Sequence, residues 1–109
     1  MDRRERRVAE NEVRKRDLNE QVPESYKAHP DDATMDVVCE CGREECDTFL
    51  KVTKVEYEDV RADPTKFILV KAHFDPALDD LLSETDRFAV VAKRKGPAEE
   101  IATATDPRD

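Results

Sequence analysis

Apolar side chains are concentrated in the middle of this 109-residue chain. Of its 23 Val, Ile, Leu and Phe residues, 18 lie between positions 35 and 93. Because a core forms where apolar residues gather, we expect a domain there with polar attachments at both ends. The pattern divides the chain into an N-terminal helix over residues 1–20, a linker over 21–34, a domain over 35–95 and a polar tail over 96–109.

The segment of residues 2–20 predicts a helix, because it is rich in Arg, Glu, Lys and Ala and contains neither Gly nor Pro. Its few apolar residues form no broad stripe. Such a helix is marginal alone, so it either docks on another surface or frays. The linker that follows contains Pro23 and Pro30 and shows no helical or strand periodicity.

Short apolar runs predict four strands, at residues 35–38, 48–52, 67–70 and 88–92. Thr53 and Glu56 form a capping-box pattern, which predicts a helix as far as about Arg61. Asp75 followed by Pro76 predicts the start of a second helix. The apolar face of that helix would be formed by Leu78, Leu81 and Leu82. The order ββαβαβ after an N-terminal helix indicates fold class α+β, with helices packed on one face of a sheet.

Composition narrows the classes of function. Charged residues make up 42% of the chain and the net charge is −8, which argues against nucleic-acid binding through general charge. Val, Ile, Leu and Phe amount to about 21%, close to the level of roughly 20% below which charged chains stay disordered. A domain so poor in apolar residues often needs a metal, another staple or a partner. No apolar run approaches a membrane span and no secretory signal is recognisable, so we expect a cytoplasmic protein.

All three cysteines lie within eight residues, at Cys39, Cys41 and Cys46. Their odd number and their clustering argue against a disulfide framework. Thiolates favour zinc, Cu(I) or iron–sulfur. A hairpin could present Cys39 from its incoming strand, Cys41 from the turn and Cys46 from its outgoing strand to one point. The Glu-rich surroundings predict that this segment is not buried, which argues against ordinary core cysteines.

Tetrahedral zinc needs a fourth ligand, and the chain contains two histidines. His73 is favoured because it follows a buried strand and precedes a sharp helix start, whereas His29 lies in the linker. Zinc bound to three thiolates and one imidazole carries a net charge of −1. Arg43 could offset that charge, and turn amides around Gly42 could donate hydrogen bonds to the sulfurs. The sequence therefore predicts a Zn²⁺ site formed by Cys39, Cys41, Cys46 and His73.

A structural zinc is favoured over a catalytic one, because a chain of this size has little room for a substrate pocket of several hundred cubic ångströms. No catalytic residue and no small-molecule substrate is therefore assigned. A zinc enzyme with Glu44 or Glu45 as base and a thiol-based redox or metal sensor remain alternatives. An iron–sulfur protein is a further one, although the small family that binds [2Fe–2S] through Cys-x-Cys, a third Cys and a His has that His where this chain has Phe49.

The order of Cys39-x-Cys41, Cys46 and His73 along the chain, together with the residues 52–67 and 105–108, resembles a family of small uncharacterised proteins of actinobacterial type. The resemblance extends over most of the chain. It implies that these four residues form the family's shared Cys-x-Cys…Cys…His set, but it implies no activity. The chain departs from the family in having Lys71–Ala72 before His73, where a Gly is expected.

These observations together predict a small zinc-stapled α+β domain that serves as a protein-interaction or regulatory module. We expect a protein partner, or a second copy of the chain, to bind through the N-terminal helix.

Overall fold

The computed structural model of this protein describes residues 3–21 and 24–108, with only the backbone of Glu24. Within those residues the chain forms three α-helices and five strands. The helices are α1 (Arg3–Glu20), α2 (Lys54–Arg61) and α3 (Pro97–Ala104). The strands are β1 (Thr34–Val38), β2 (Phe49–Thr53), β3 (Lys66–Leu69), β4 (Asp79–Glu84) and β5 (Ala89–Lys93). Short 3₁₀ helices span Glu24–Ala28 and Lys71–His73.

The described strands form two antiparallel sheets and not the single sheet expected, and together with the helices they confirm the α+β class. One sheet pairs β1 with β2, and the other has the order β3–β5–β4. Buried apolar residues of both sheets, α2 and α3 form one cluster that also contains Cys39 and Cys41. Among the described helices, none is long and apolar enough to cross a membrane. The boundaries drawn at residues 20, 34 and 95 stay predictions.

The capping box at the start of α2 is confirmed. Thr53 Oγ1 accepts a hydrogen bond from the Glu56 N–H at 3.2 Å, and Glu56 Oε1 accepts one from the Thr53 N–H at 2.8 Å. The run after α2 is also confirmed as a buried strand, since Phe67, Ile68 and Leu69 in β3 are almost inaccessible. Both elements carry strong local signals, which is why the sequence locates them well.

The helix predicted from Asp75 is wrong. Asp75 does cap one turn, since its carboxylate accepts from the Ala77 N–H at 2.9 Å, but the chain then enters strand β4. The leucine pattern offers too few residues for a stable helix, whose first turn is costly. Pairing with β5 satisfies the backbone instead and leaves Leu81 and Leu82 44% and 49% exposed.

Helix α1 docks on the rest of the chain through polar side chains rather than through an apolar stripe. The guanidinium of Arg16 is buried and donates hydrogen bonds to the carbonyl oxygens of Pro64, Ala102 and Thr105 at 2.8, 3.1 and 3.0 Å. These bonds join α1 to the loop after α2 and to α3. Of the two behaviours expected for this helix, docking is therefore the one that the structure shows.

Candidate metal centre

Three sulfurs and one imidazole nitrogen converge at one point. The ligand atoms of Cys39, Cys41, Cys46 and His73 all lie within 4.8 Å of one another. The Nδ1 atom of His73 is 3.6 Å from the Cys39 sulfur and 3.7 Å from the Cys46 sulfur. A zinc tetrahedron, with Zn–S about 2.3 Å and Zn–N about 2.0 Å, separates sulfur from nitrogen by about 3.5 Å. The spacing of the cluster therefore suits a tetrahedral ion.

Two segments of the chain carry the cluster. The knuckle, residues 39–46, begins directly after β1, and the Cys39 N–H donates to the Thr48 carbonyl at 2.8 Å. The Glu40 N–H donates to the Ile68 carbonyl at 2.8 Å, which holds the knuckle against β3. His73 ends the 3₁₀ helix that follows β3. The expectation that Cys46 belongs to the outgoing strand is wrong, because β2 begins only at Phe49.

The second histidine takes no part in the cluster. The Nε2 atom of His29 lies 3.1 Å from the Ala33 carbonyl oxygen, in the loop before β1. The structure thus brings together the four residues named from the sequence and places the rival histidine elsewhere.

Donors from three parts of the fold approach the sulfurs. The Val70 N–H donates to the Cys39 sulfur at 3.2 Å, and the Lys15 ammonium donates to the Cys41 sulfur at 3.4 Å. The pKa of Cys41 is lowered to about 4, because the Cys39 thiol, the Arg43 N–H and the Lys15 charge all favour the Cys41 thiolate. The pKa of Cys39 is raised in return, since its hydrogen bond to Cys41 and its burial favour the neutral thiol.

The cation beside the cluster is Lys15, which sequence reasoning missed. Its ammonium is buried and also donates to the carbonyl oxygens of Cys41 at 2.8 Å and Arg43 at 2.5 Å. The expected charge partner, Arg43, has an exposed side chain. A lysine from a distant helix replaces the local arginine because the backbone carbonyls of the knuckle turn toward α1.

Lys15 belongs to a polar stripe on α1, formed by Asn11, Lys15 and Asn19 at i, i+4 and i+8. The Asn11 amide donates to the Gly42 carbonyl at 3.0 Å. The Asn19 amide donates to the Val38 carbonyl at 2.9 Å and accepts from the Val38 N–H at 2.8 Å. Residues four apart share a helix face, so this spacing was the available sequence signal. The stripe runs along the backbone of residues 38–43 and supports the knuckle from behind.

The first three residues of the knuckle are buried, which corrects the expectation drawn from its Glu-rich sequence for that part, whereas Arg43, Glu44 and Glu45 are exposed. Cys39, Glu40 and Cys41 are between 0% and 1% exposed. The Glu40 carboxylate accepts two hydrogen bonds from the Arg61 guanidinium at 2.6 and 2.8 Å, and one from the Ile68 N–H at 3.1 Å. A carboxylate so paired can be buried without a lone charge. The acidic residue between the two cysteines therefore holds α2 and β3 to the knuckle.

A cleft of about 670 Å³ adjoins the cluster and is lined in part by Cys41 and His73. Its volume exceeds the expectation that a chain of this size has little room for such a pocket. The charged lining has both signs: the basic residues are Arg3, Arg4, Arg7 and Arg43, and the acidic ones are Glu12, Glu44, Glu45, Asp75 and Asp79.

Two of these carboxylates share one buried ammonium. Lys93 Nζ lies 2.8 Å from a Glu12 oxygen and 2.6 Å from an Asp79 oxygen. Burial raises the pKa of Glu12 to about 7 and also raises the pKa of Asp79, against the opposing effect of Lys93. Burial alone would lower the pKa of Lys93, but the two carboxylates outweigh it and raise that pKa. The group joins α1 to the three-stranded sheet.

No family model, no curated protein and no solved structure matches this chain. The resemblance to small actinobacterial-type proteins therefore stays a prediction.

Proposed function

We propose that the Cys₃His cluster holds one structural zinc ion and that the domain it staples serves as a protein-interaction or regulatory module. The observation that carries the proposal is the convergence of the four ligand atoms within 4.8 Å. Three thiolates and one imidazole favour zinc over magnesium or calcium, which prefer oxygen ligands. The Val70 and Lys15 hydrogen bonds to sulfur are contacts of the kind that orient zinc ligands.

The proposed zinc is structural because four protein ligands complete its tetrahedron and leave no position for a reactive water. The cleft beside the cluster does not alter this, since a substrate there would face a closed ion. Zinc also supplies folding free energy to a chain whose apolar content is low. We therefore assign no catalytic residue.

Metal analysis of protein purified without added zinc tests the proposal. We expect one zinc per chain in the native protein and loss of zinc in both Cys46→Ser and His73→Ala. His29→Ala is the matched control and should keep its zinc, because His29 lies outside the cluster. Full zinc content in His73→Ala would remove His73 as a required ligand. A coloured protein that contains iron instead of zinc would contradict the assignment of the metal.

A thiol-based sensor is the second candidate, and the partial exposure of Cys46 favours it. Cys39 and Cys41 are buried, whereas Cys46 is half-buried, so an oxidant can reach one ligand of the cluster. Peroxide would oxidise two thiolates to a disulfide, would itself be reduced to water, and would release the metal. Peroxide-dependent zinc release that a thiol reductant reverses would support this role. Zinc retained through complete oxidant treatment would refute it.

The proposal includes an interaction role and a cytoplasmic location. The location follows from the free thiols, which persist in reducing compartments. The polar stripe of α1 is already bound to the knuckle, so a partner or a second copy would meet the exposed side of that helix. Arg6, Glu10 and Arg14 lie on that side. Self-association through α1 would appear as a solution mass that rises with protein concentration and falls when Arg14 is replaced by Glu.

A further inference from the structure

The edge of β1 that faces away from β2 presents backbone N–H and C=O groups that β2 cannot reach. The Cys39 N–H donates to the Thr48 carbonyl of the segment that leads into β2. Backbone groups alternate in direction along a strand, so Val37 and Met35, two and four residues before Cys39, are the residues of β1 whose backbone bonds β2. The N–H and C=O groups of Thr34, Asp36 and Val38 therefore point away from β2. The bonds between Val38 and the Asn19 side chain confirm this direction.

Asn19 occupies one position of this edge in the way that a neighbouring strand would. Its side-chain amide makes both a donor and an acceptor bond to the Val38 backbone, at 2.9 and 2.8 Å. The next outward position is Asp36. Among the residues that the structure describes, no partner meets the outward N–H and C=O of Asp36. Within the described part of the chain, the ladder that Asn19 begins is therefore open at the following position.

A groove of about 340 Å³ runs beside this open edge. Its apolar lining includes Leu18, Met35 and Phe49, and the Leu18 and Phe49 side chains are 53% and 68% exposed. Asp36 carries the one formal charge among the described residues that line it, with His29 counted as neutral. Its carboxylate is exposed and lies 2.7 Å from the Lys51 ammonium of β2, which is on the side away from the open edge. The volume lies within the range of ligand grooves, at its lower end.

We propose that an extended peptide segment of a partner protein adds to β1 as a third strand, with alternating apolar and basic side chains. Main-chain hydrogen bonds to Asp36 and Thr34 would supply the pairing. Apolar side chains would enter the groove. Lys or Arg would flank the Asp36 carboxylate on the side away from Lys51, so that the carboxylate would lie between two cross-strand cations, an arrangement in which opposite charges are favourable. This proposal names the surface through which the proposed interaction module would bind its partner, and it rests on that proposed function.

A second copy of the chain fits this edge less well. Antiparallel pairing of two β1 strands about Asp36 would place two carboxylates directly opposite one another, and like charges at that position are destabilising. Pairing cannot shift toward Val38, because Asn19 holds that position. Charge complementarity therefore favours a basic peptide in a chain whose net charge is −8.

The test uses the 109-residue protein loaded with zinc and synthetic peptides in which valine and lysine alternate. We expect peptide addition to shift the amide NMR signals of residues 34–38 and to slow hydrogen exchange of the Asp36 N–H. The matched control peptide has methyl groups on alternate backbone nitrogens, so that it keeps its side chains but cannot complete the ladder. It should bind about tenfold more weakly or worse, the effect of losing one or two hydrogen bonds. A peptide with glutamate in place of lysine should also bind more weakly.

Asp36→Pro is the matched protein variant. The Asp36 N–H faces outward, so proline there removes the open donor without removing a backbone bond to β2, although it also removes the exposed ion pair between Asp36 and Lys51. The variant should keep its zinc and its circular dichroism spectrum while it loses peptide binding. Equal affinity of the native and the N-methylated peptide, equal affinity of the native protein and Asp36→Pro, or no shift at residues 34–38 would each overturn the proposal. A dimer of the native chain that Asp36→Pro dissolves would overturn the choice of occupant.

The same samples separate this proposal from the zinc assignment. Stoichiometric zinc without peptide binding would refute the docking edge alone. Peptide binding by a protein that never holds zinc would refute the metal alone.

Discussion

Replacing Gly42 by Ala tests the contact on which the support of the knuckle depends. A Cβ at Gly42 would lie 2.3 Å from Val8 Cγ1 and 3.0 Å from Val8 Cβ. The first distance is below any that real side chains show, so α1 and the knuckle would have to separate. The φ angle of Gly42 is not in the left-handed region, since Gly96 is the residue that has a positive φ among those described. Close approach, and not turn geometry, is therefore what requires a glycine at position 42.

The expected cost follows from the contacts that a separation would disturb. Overpacking costs about 1–3 kcal/mol. Moving α1 also lengthens the 3.0 Å bond from Asn11 to the Gly42 carbonyl, and a lost hydrogen bond costs about 1 kcal/mol. Alanine also lowers the conformational entropy of the unfolded chain, which stabilises the folded protein by about 0.4–1 kcal/mol. We expect the free energy of unfolding to fall by about 2 kcal/mol, a large part of the 5–15 kcal/mol that is typical of a domain.

Urea denaturation followed by far-ultraviolet circular dichroism measures this change, at one fixed free zinc concentration because bound metal adds to apparent stability. Val8→Ala removes the Cγ1 atom, so Gly42→Ala should cost about 1 kcal/mol less in that background. Gly96→Ala is the control: it meets no atom within 4 Å, and its strain at φ 142° should not depend on Val8. A Gly42→Ala protein as stable as the native one, or one whose loss of stability is the same with and without Val8, would refute the argument.

Three further predictions concern the buried charges. Lys15→Met should weaken zinc binding about 10–100-fold in competition with a chelator, while Arg43→Met should leave it unchanged, because Lys15 is the cation at the Cys41 sulfur. Arg61→Leu should cost about 3–5 kcal/mol in urea denaturation because Glu40 stays buried without its charge partner, and adding Glu40→Leu should recover much of the loss; no recovery would contradict this account. Burial raises the pKa of Glu12 from 4.5 to about 7, so the stability that its protonation supports is present below about pH 4.5 and is lost as the pH rises to about 7. The stability of the native protein relative to Glu12→Gln should fall across that window, and a difference that stays constant with pH would contradict it.

The sequence determined the features whose signals are local. The capping box of Thr53 and Glu56 brings its own hydrogen-bond partners, and the apolar run of β3 needs only a core to enter. The cysteine spacing and the place of His73 after β3 were sufficient to name the cluster that the fold brings together. In each case the information lies within a few residues, or in an order of elements that leaves the chain few arrangements.

The tertiary structure decided what depends on a partner far along the chain. The sequence around Glu40 predicts a surface residue, but Arg61, 21 residues away, pairs with its carboxylate and allows it to be buried. The sequence around Lys15 predicts a solvated helix residue, but carbonyl oxygens of the knuckle bind its ammonium. Asp75 starts a turn as its local signal indicates, but pairing with β5 makes the next residues a strand. The physical reason is common to all three: a buried polar group or a strand edge is stable only once its partner is in place, and a local pattern does not contain that partner.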